Sequence, residues 1–470
     1  MNKDFIDEQR IEKLLLTEVP SAGQVEDIIQ KALLIKMLSL EETALLLQVE
    51  DPALIAKMEE AAGQIKKKVY DNRIVTFAPL YLANKCINDC VYCGFRRSNQ
   101  LSERRVLNKE EIIEEIRVLA GRLGHKRLIV VAGEHPQTGA EYIADALHAI
   151  YSVKCPVKNG YGSIRRANVN AAPMSVEELK LLHAAGIGTF QVFQETYHKQ
   201  TYAKVHPQGT RKGDYQNRLY CMHRAMEAGV DDVGIGALFG LYDWKFEVLG
   251  LLSHAYELEE KFGIGPHTVS FPRLEFAQNT PFIEKTPYSV SDSELRRAVV
   301  VLRLCIPYAG MILTAREPAH VRDSLLPLGI TQVDASSNIA IGGYSAANLG
   351  DKNRRQFELS DNRSLEEMIL NMAQMGYITS FCTAGYRCGR TGRCIMDLLR
   401  SGKEGQFCKL NALLTFKEWL DDFAAASTKK ACEPILKQEM CEVKEKLPAF
   451  FERFMQAYCR IEKGERDIYF

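Results

Sequence analysis

Between about residue 73 and residue 340, short apolar segments alternate with longer stretches in which apolar residues recur every three or four positions. The alternation leaves few folds open, because buried strands and one-sided helices carry different periods. Eight strand candidates can be read: Val75–Leu82, Arg127–Ala132, Ser163–Asn170, Gly188–Phe193, Asp232–Leu238, His267–Pro272, Met311–Ala315 and Thr331–Ser337. Helical patterns lie between them, for example Lys109–Leu123, Ser175–Ala185, Tyr215–Ala228, Trp244–Phe262 and Ser291–Cys305. Eight such units over roughly 260 residues predict an α/β chain folded as a (β/α)8 TIM-type barrel. A doubly wound open sheet is the alternative, since periodicity does not report strand order.

The flanks read differently. Residues 1–70 form a helical lead-in, with Ile11, Leu14, Leu15, Ile28, Ala32 and Leu33 at helical spacing and a capping-box pattern at Ser21 and Gln24. The barrel is expected over 71–345. A C-terminal region, 346–470, is cysteine-rich at first and helical from Lys417 onward. Sixty basic residues balance sixty acidic ones, so no electrostatic footprint for nucleic acid or an anionic membrane is present. The candidate apolar run at Val299–Leu304 is interrupted by Arg303, which argues against a membrane span. The acidic start, Asp4 to Glu8, lacks the features of a signal peptide. The expected compartment is the cytoplasm. There, thirteen cysteines point to metal rather than to a disulfide framework.

Three of those cysteines fall within eight residues: Cys86-Ile87-Asn88-Asp89-Cys90-Val91-Tyr92-Cys93. A structural zinc site normally needs a fourth ligand from a second cysteine or histidine pair, and none follows nearby. Three thiolates on the loop after a first barrel strand suit a [4Fe–4S] cluster with one iron open to a ligand.

With Tyr92 before its last cysteine, this run resembles the signature of the radical S-adenosylmethionine (SAM) enzymes. Further segments look like the aromatic amino-acid lyases of that superfamily: Phe77-Ala78-Pro79-Leu80-Tyr81, Ala132-Gly133-Glu134, Gly162-Ser163-Ile164-Arg165-Arg166, Phe193-Gln194-Glu195-Thr196-Tyr197-His198 and Asp231-Asp232-Val233-Gly234-Ile235-Gly236. They are similar above all to the HydG-type tyrosine lyases that mature [FeFe]-hydrogenase, and more distantly to the ThiH and NosL types. The likeness runs from about residue 70 to 425.

The resemblance implies that Cys86, Cys90 and Cys93 hold the cluster, and that SAM chelates its open iron. Tyr92, Gly133, Glu134, Asn168, Glu195 and Arg218 are then the expected SAM contacts. Asn168 and Asn170 end the third strand, and Glu195 the fourth. Arg218 reads equally as an exposed helix arginine. For the amino-acid substrate, Arg316, in Thr314-Ala315-Arg316-Glu317, resembles the arginine that grips the carboxylate. A planar guanidinium suits that task; the bland reading is an ion pair with Glu317 or Asp334. Ser337 and His267 complete the expected catalytic set, with Arg273 nearby. Gly234-Ile235-Gly236-Ala237-Leu238-Phe239-Gly240 is one residue too long for a dinucleotide fingerprint and opens no helix.

One departure matters. HydG-type chains carry a second cluster motif, CxxCx22C, in the C-terminal region. Here Cys382 and Cys408 keep the outer positions and Gly385 stands at the middle one, with Cys388 and Cys394 close by. Two thiolates and a glycine do not make the usual second Fe–S site. The expectation is therefore a radical SAM lyase that cleaves the Cα–Cβ bond of an aromatic amino acid. Tyrosine would give p-cresol and dehydroglycine, with a reductant such as a flavodoxin or ferredoxin supplying electrons. The alternatives are a hydrogenase maturase making carbon monoxide and cyanide, with Cys388 or Cys394 restoring the second cluster, and a non-catalytic Fe–S or metal-binding assembly protein.

Overall fold

The structure is a computed structural model that describes residues 4–346, 352–401 and 404–470. Its organising element is β1, Arg73–Ala83, an apolar run buried along its full length. Such runs occur where a parallel strand is covered on both faces. Seven further strands follow in chain order: β2 (Arg127–Ala132), β3 (Arg166–Asn170), β4 (Phe190–Gln191), β5 (Val233–Gly236), β6 (Thr268–Ser270), β7 (Gly310–Leu313) and β8 (Gln332–Asp334). Each pairs in parallel with the next. β8 then returns to β1, with Val75 opposite Gln332 and Phe77 opposite Asp334. That last pairing closes the barrel and excludes the open sheet. A ninth strand, β9 (Ile378–Ser380), comes from the C-terminal region and pairs in parallel with Arg73–Val75.

The differences from expectation are local. Strand 3 begins at Arg166 because the chain before it forms a small hairpin of Cys155–Val157 and Gly160–Gly162. Strand 4 shortens to two residues. Trp244–Phe262 is helical over the expected range, capped by the Asp243 carboxylate and ended by Gly263 at φ 68°. Ser21 and Gln24 form their capping box. The helix expected from Lys417 starts earlier, at Glu404, and Leu365–Gln374 and Gly392–Arg400 are helical before it. Leu410, Ala412, Leu413, Leu414 and Phe416 on the helix from Glu404 are all buried, and a helix buried all round shows no apolar stripe. No helix among the described residues is long and apolar enough to cross a membrane.

The helix Glu404–Asp422 is tied to the strand beginnings by charge. Glu418 accepts from Lys126 Nζ at 2.9 Å and from Arg165 Nη1 at 3.1 Å, and all three side chains are buried. Burial works to raise the Glu418 pKa, but the two cations outweigh it and hold the carboxyl down at about 2. Replacing Glu418 by Ala strands Lys126 and leaves Arg165 only its ion pair with Asp467 at 3.2 Å, and is expected to cost about 3–5 kcal/mol in denaturant unfolding. The sign with pH follows from the depressed folded value. The stabilisation is full above the ordinary value of 4.5 and fades as pH falls toward 2. The gap between parent and variant should therefore narrow over that interval, and a gap indifferent to pH would refute the assignment.

Candidate active site

Parallel closure brings every strand's carboxyl end to one rim. There a cavity of about 180 Å³, open at its mouth, is lined among others by Cys86, Cys90, Cys93, Glu134, Glu195 and Arg316. The cysteine loop leaves β1 and is held against the end of β2. Ile87 N–H donates to the Glu134 carbonyl at 2.8 Å, and Asn88 Nδ2 donates to Glu134 Oε2 at 2.6 Å. The other side of the same carboxamide, Asn88 Oδ1, accepts from the Lys212 amide at 2.9 Å. Gly133 permits the close approach, since a Cβ there would stand 2.4 Å from the Lys85 carbonyl oxygen and 3.3 Å from Cys86 Cβ.

All three cysteines line the cavity. Burial raises the pKa of Cys86, and it pushes Cys90 up to about 12. A bound metal cluster reverses that preference, because coordination deprotonates a thiol. Gln356 Nε2 lies 3.4 Å from Cys93 Sγ, a donor suited to a cluster-bound sulfur. Three cysteines lining one cavity, with a nitrogen donor beside Cys93, fit a cluster held at three corners.

Glu195 stands at the end of the fourth strand with φ 73°, a left-handed conformation that a non-glycine residue adopts at a cost. Its Oε1 accepts from Lys212 Nζ at 2.7 Å and Arg218 Nη2 at 3.1 Å. Burial opposes ionisation, but Lys212 and Arg218 outweigh it and hold the carboxyl below its ordinary value. Arg218 is buried and also donates from Nε to the Phe193 carbonyl at 2.6 Å, so the exposed-arginine reading falls away. Lys212 escaped the sequence reading, because no spacing connects it to a carboxylate seventeen residues away.

Arg316, which lines the same cavity, makes neither ion pair that the sequence left open. Glu317 is taken by Arg273 and Asp334 by Arg322. Among the described residues Arg316 faces no carboxylate at ion-pair distance. Its guanidinium lies 3.4 Å from the Phe357 ring centroid, and Nη1 is 3.5 Å from the Arg273 carbonyl. Burial lowers its pKa, partly offset by Tyr81 and Glu195.

Three expected residues sit elsewhere. Asn168 Oδ1 accepts the Thr189 amide at 3.0 Å, while Asn170 is the third-strand asparagine that lines the cavity. Ser337 Oγ donates to Asp334 Oδ2 at 2.5 Å. His267 precedes β6, its N–H bonded to the Val233 carbonyl where β5 begins. It lies at the end of the barrel opposite the cavity.

That opposite end holds a second, smaller cavity of about 10 Å³, room for about one water, lined in part by Arg73, Cys382, Gly385, Cys408 and Asn411. Cys382 follows β9 with φ 44°, and its carbonyl accepts from Arg127 at 2.9 Å. Cys388 and Cys394 are exposed and are not among the described residues that line this cavity. The wall at Gly385 has room, since a Cβ there would meet only the Arg390 carbonyl, at 3.5 Å.

Residues 80–249 match the Radical SAM superfamily, and residues 270–378 match the Biotin and Thiamin Synthesis associated domain. The 2-iminoacetate synthase of Escherichia coli (strain K12) is 30% identical over 357 residues, which is 75% of this chain and 89% of that relative. A crystal structure of HydG, a maturase of the [FeFe]-hydrogenase, superposes with a TM-score of 0.93 at 45% identity, covering 100% of both chains. The HydG of Carboxydothermus hydrogenoformans gives a TM-score of 0.79 at 37% identity, with 97% of each chain covered.

Gly133→Ala should push the cysteine loop away from β2. Reconstituted variant protein should retain clearly less iron than the parent, whereas Gly23→Ala, with nothing within 4 Å of the added carbon, should retain as much. Equal iron in the two variants would show that the loop tolerates the displacement.

Proposed function

Because the chain belongs to the radical SAM superfamily, in the branch of HydG and 2-iminoacetate synthase, we propose that it cleaves the Cα–Cβ bond of tyrosine, giving p-cresol and dehydroglycine. The observation that carries this reading is one cavity lined by three thiols and by an arginine that, among the described residues, makes no ion pair with a carboxylate. A [4Fe–4S] cluster on Cys86, Cys90 and Cys93 would supply one electron to SAM, yielding methionine and a 5′-deoxyadenosyl radical.

The chain's own residues do the holding and orienting. Glu134, fixed by Asn88, offers a carboxylate to the SAM ammonium. Arg218 offers a cation to the SAM carboxylate, with Glu195 and Lys212 keeping the local charge balanced. Gly133 lets backbone approach backbone. Arg316, backed by the Phe357 ring, fixes the carboxylate of the amino acid and so places its amine toward the thiols. Tyr81, Phe193, Leu274 and Phe357 line the space between and keep water from the reacting atoms.

The lyase reading is favoured over the maturase reading by Gly385. Two thiols, Cys382 and Cys408, line the second cavity, and Cys388 and Cys394 are not among the described residues that do. A non-catalytic assembly protein has no need of Arg316 or of the Glu195 charge set. The electron donor is read as a low-potential protein such as a flavodoxin or ferredoxin. Thirteen free thiols support a reducing compartment, the cytoplasm.

The test is product analysis on reduced, reconstituted protein with SAM and tyrosine. It should yield 5′-deoxyadenosine, p-cresol and glyoxylate from hydrolysed dehydroglycine, with little cyanide or carbon monoxide. Stoichiometric cyanide would favour the maturase. Absence of 5′-deoxyadenosine would remove the radical assignment altogether.

Arg316→Ala should lower turnover at limiting tyrosine by about ten- to a hundredfold, the loss expected for a charged hydrogen bond of about 1.5–3 kcal/mol, with iron content unchanged. Gly385→Cys tests the second cavity. The parent should hold about four irons per chain, and the variant should rise toward about eight, because the added Cβ meets only the Arg390 carbonyl, at an ordinary contact of 3.5 Å. Parent protein already at about eight irons would restore the maturase reading.

A further inference from the structure

The segment that follows the fourth strand touches the cysteine loop at its middle, and nothing in the reading above uses that contact. Lys199–Val205 is helical, and at its end the Val205 carbonyl accepts the Val91 amide at 3.1 Å. One residue on, His206 Nε2 lies 2.7 Å from the Tyr92 hydroxyl. The two rings meet edge to face at 5.5 Å. His206 Nδ1 lies 3.1 Å from the Tyr202 carbonyl oxygen. A carbonyl only accepts, so Nδ1 carries the proton. Burial, with Lys212 and Arg218 nearby, pushes the imidazole pKa well below its ordinary value, so the ring is neutral. Nε2 is then an acceptor and the Tyr92 hydroxyl donates to it. His206 has no exposed surface and Tyr92 is 9% exposed, so the bond is made largely out of solvent.

We propose that His206 is a positioning residue of the cofactor site, holding the Tyr92 ring between Cys90 and Cys93 through a hydrogen bond whose direction the Tyr202 carbonyl fixes. The consequence lies at the cavity. Tyr92 sits on its wall, with Lys212 Nζ 5.6 Å from its ring centroid. A Tyr92 ring free to turn would unsettle both the spacing of the two sulfurs and the cation that steadies Glu195. Sequence alone gave no hint of this, because a histidine 114 residues from its partner carries no local pattern.

The inference rests on the radical SAM reading, and the experiment separates the two. Reconstituted parent, His206→Phe, Tyr92→Phe and the double variant are compared for iron content, SAM affinity and the change in the reduced cluster's electron paramagnetic resonance signal on adding SAM. His206→Phe keeps the ring and removes the acceptor. It should weaken SAM binding about tenfold with iron content near that of the parent. Tyr92→Phe removes one oxygen and should weaken binding to a similar extent. The double variant should be no worse than either single one, because both break the same bond. His206→Gln, whose carboxamide oxygen can reach the Tyr92 hydroxyl, should recover part of the affinity. A purely structural role would lower the melting temperature and leave the SAM-induced signal unchanged, and that result overturns the proposal. So would single effects that simply add. If His206→Phe does not fold, an unaltered SAM affinity in Tyr92→Phe overturns it alone. A parent that binds no SAM would instead sink the radical SAM reading, and this inference with it.

Discussion

Everything in this molecule depends on β1 being shared. Its eleven residues pair with β2, with β8 and with β9, so closing the barrel and docking the C-terminal region are two uses of one strand. The two cavities lie at its ends. Arg73 lines the smaller one and Tyr81 the larger, and the cysteine loop begins three residues after the strand stops. At about 3.3 Å per residue the strand spans roughly 33 Å, a rigid spacer that sets where both chambers sit. A long unbroken apolar run is what such sharing requires, because every residue is covered on both faces.

Charge does the fine placement that apolar packing does not. Lys126, Arg165 and Glu418 fasten the C-terminal helix beneath the barrel, while Glu195, Lys212 and Arg218 build the polar wall of the larger cavity. Both sets bury a carboxylate with two cations, but they differ in what surrounds them. The first has no surface left to offer. The second opens onto a chamber, and its spare positive charge faces the place assigned to an anionic cofactor group.

Much of this was legible in the chain. The eight strand candidates and the closure count came through, because buried parallel strands are apolar runs of characteristic length. Trp244–Phe262 was legible to the residue because an aspartate cap and a left-handed glycine bracket it. The cysteine run and Arg316 were legible as motifs. What was not legible turns on which end of a strand a residue occupies. His267 and Thr268 differ by one position, yet the strand starts between them, and that places the histidine at the far rim. Asn168 and Asn170 differ by two, and only the second reaches the cavity. Lys212 and His206 were invisible for another reason. They act from a loop without periodicity on partners brought close only by the closed barrel.

Asn88 carries a last consequence. Its carboxamide donates to Glu134 with one atom and accepts from the Lys212 amide with the other, joining the loops after the first, second and fourth strands. A carboxylate cannot do both, because it has no proton to give. Loss of ammonia from this one side chain, the ordinary chemical ageing of asparagine, would set two negative charges face to face where a bridge had been. Asn88 is 2% exposed, so the side chain that joins the three loops is itself kept largely out of solvent.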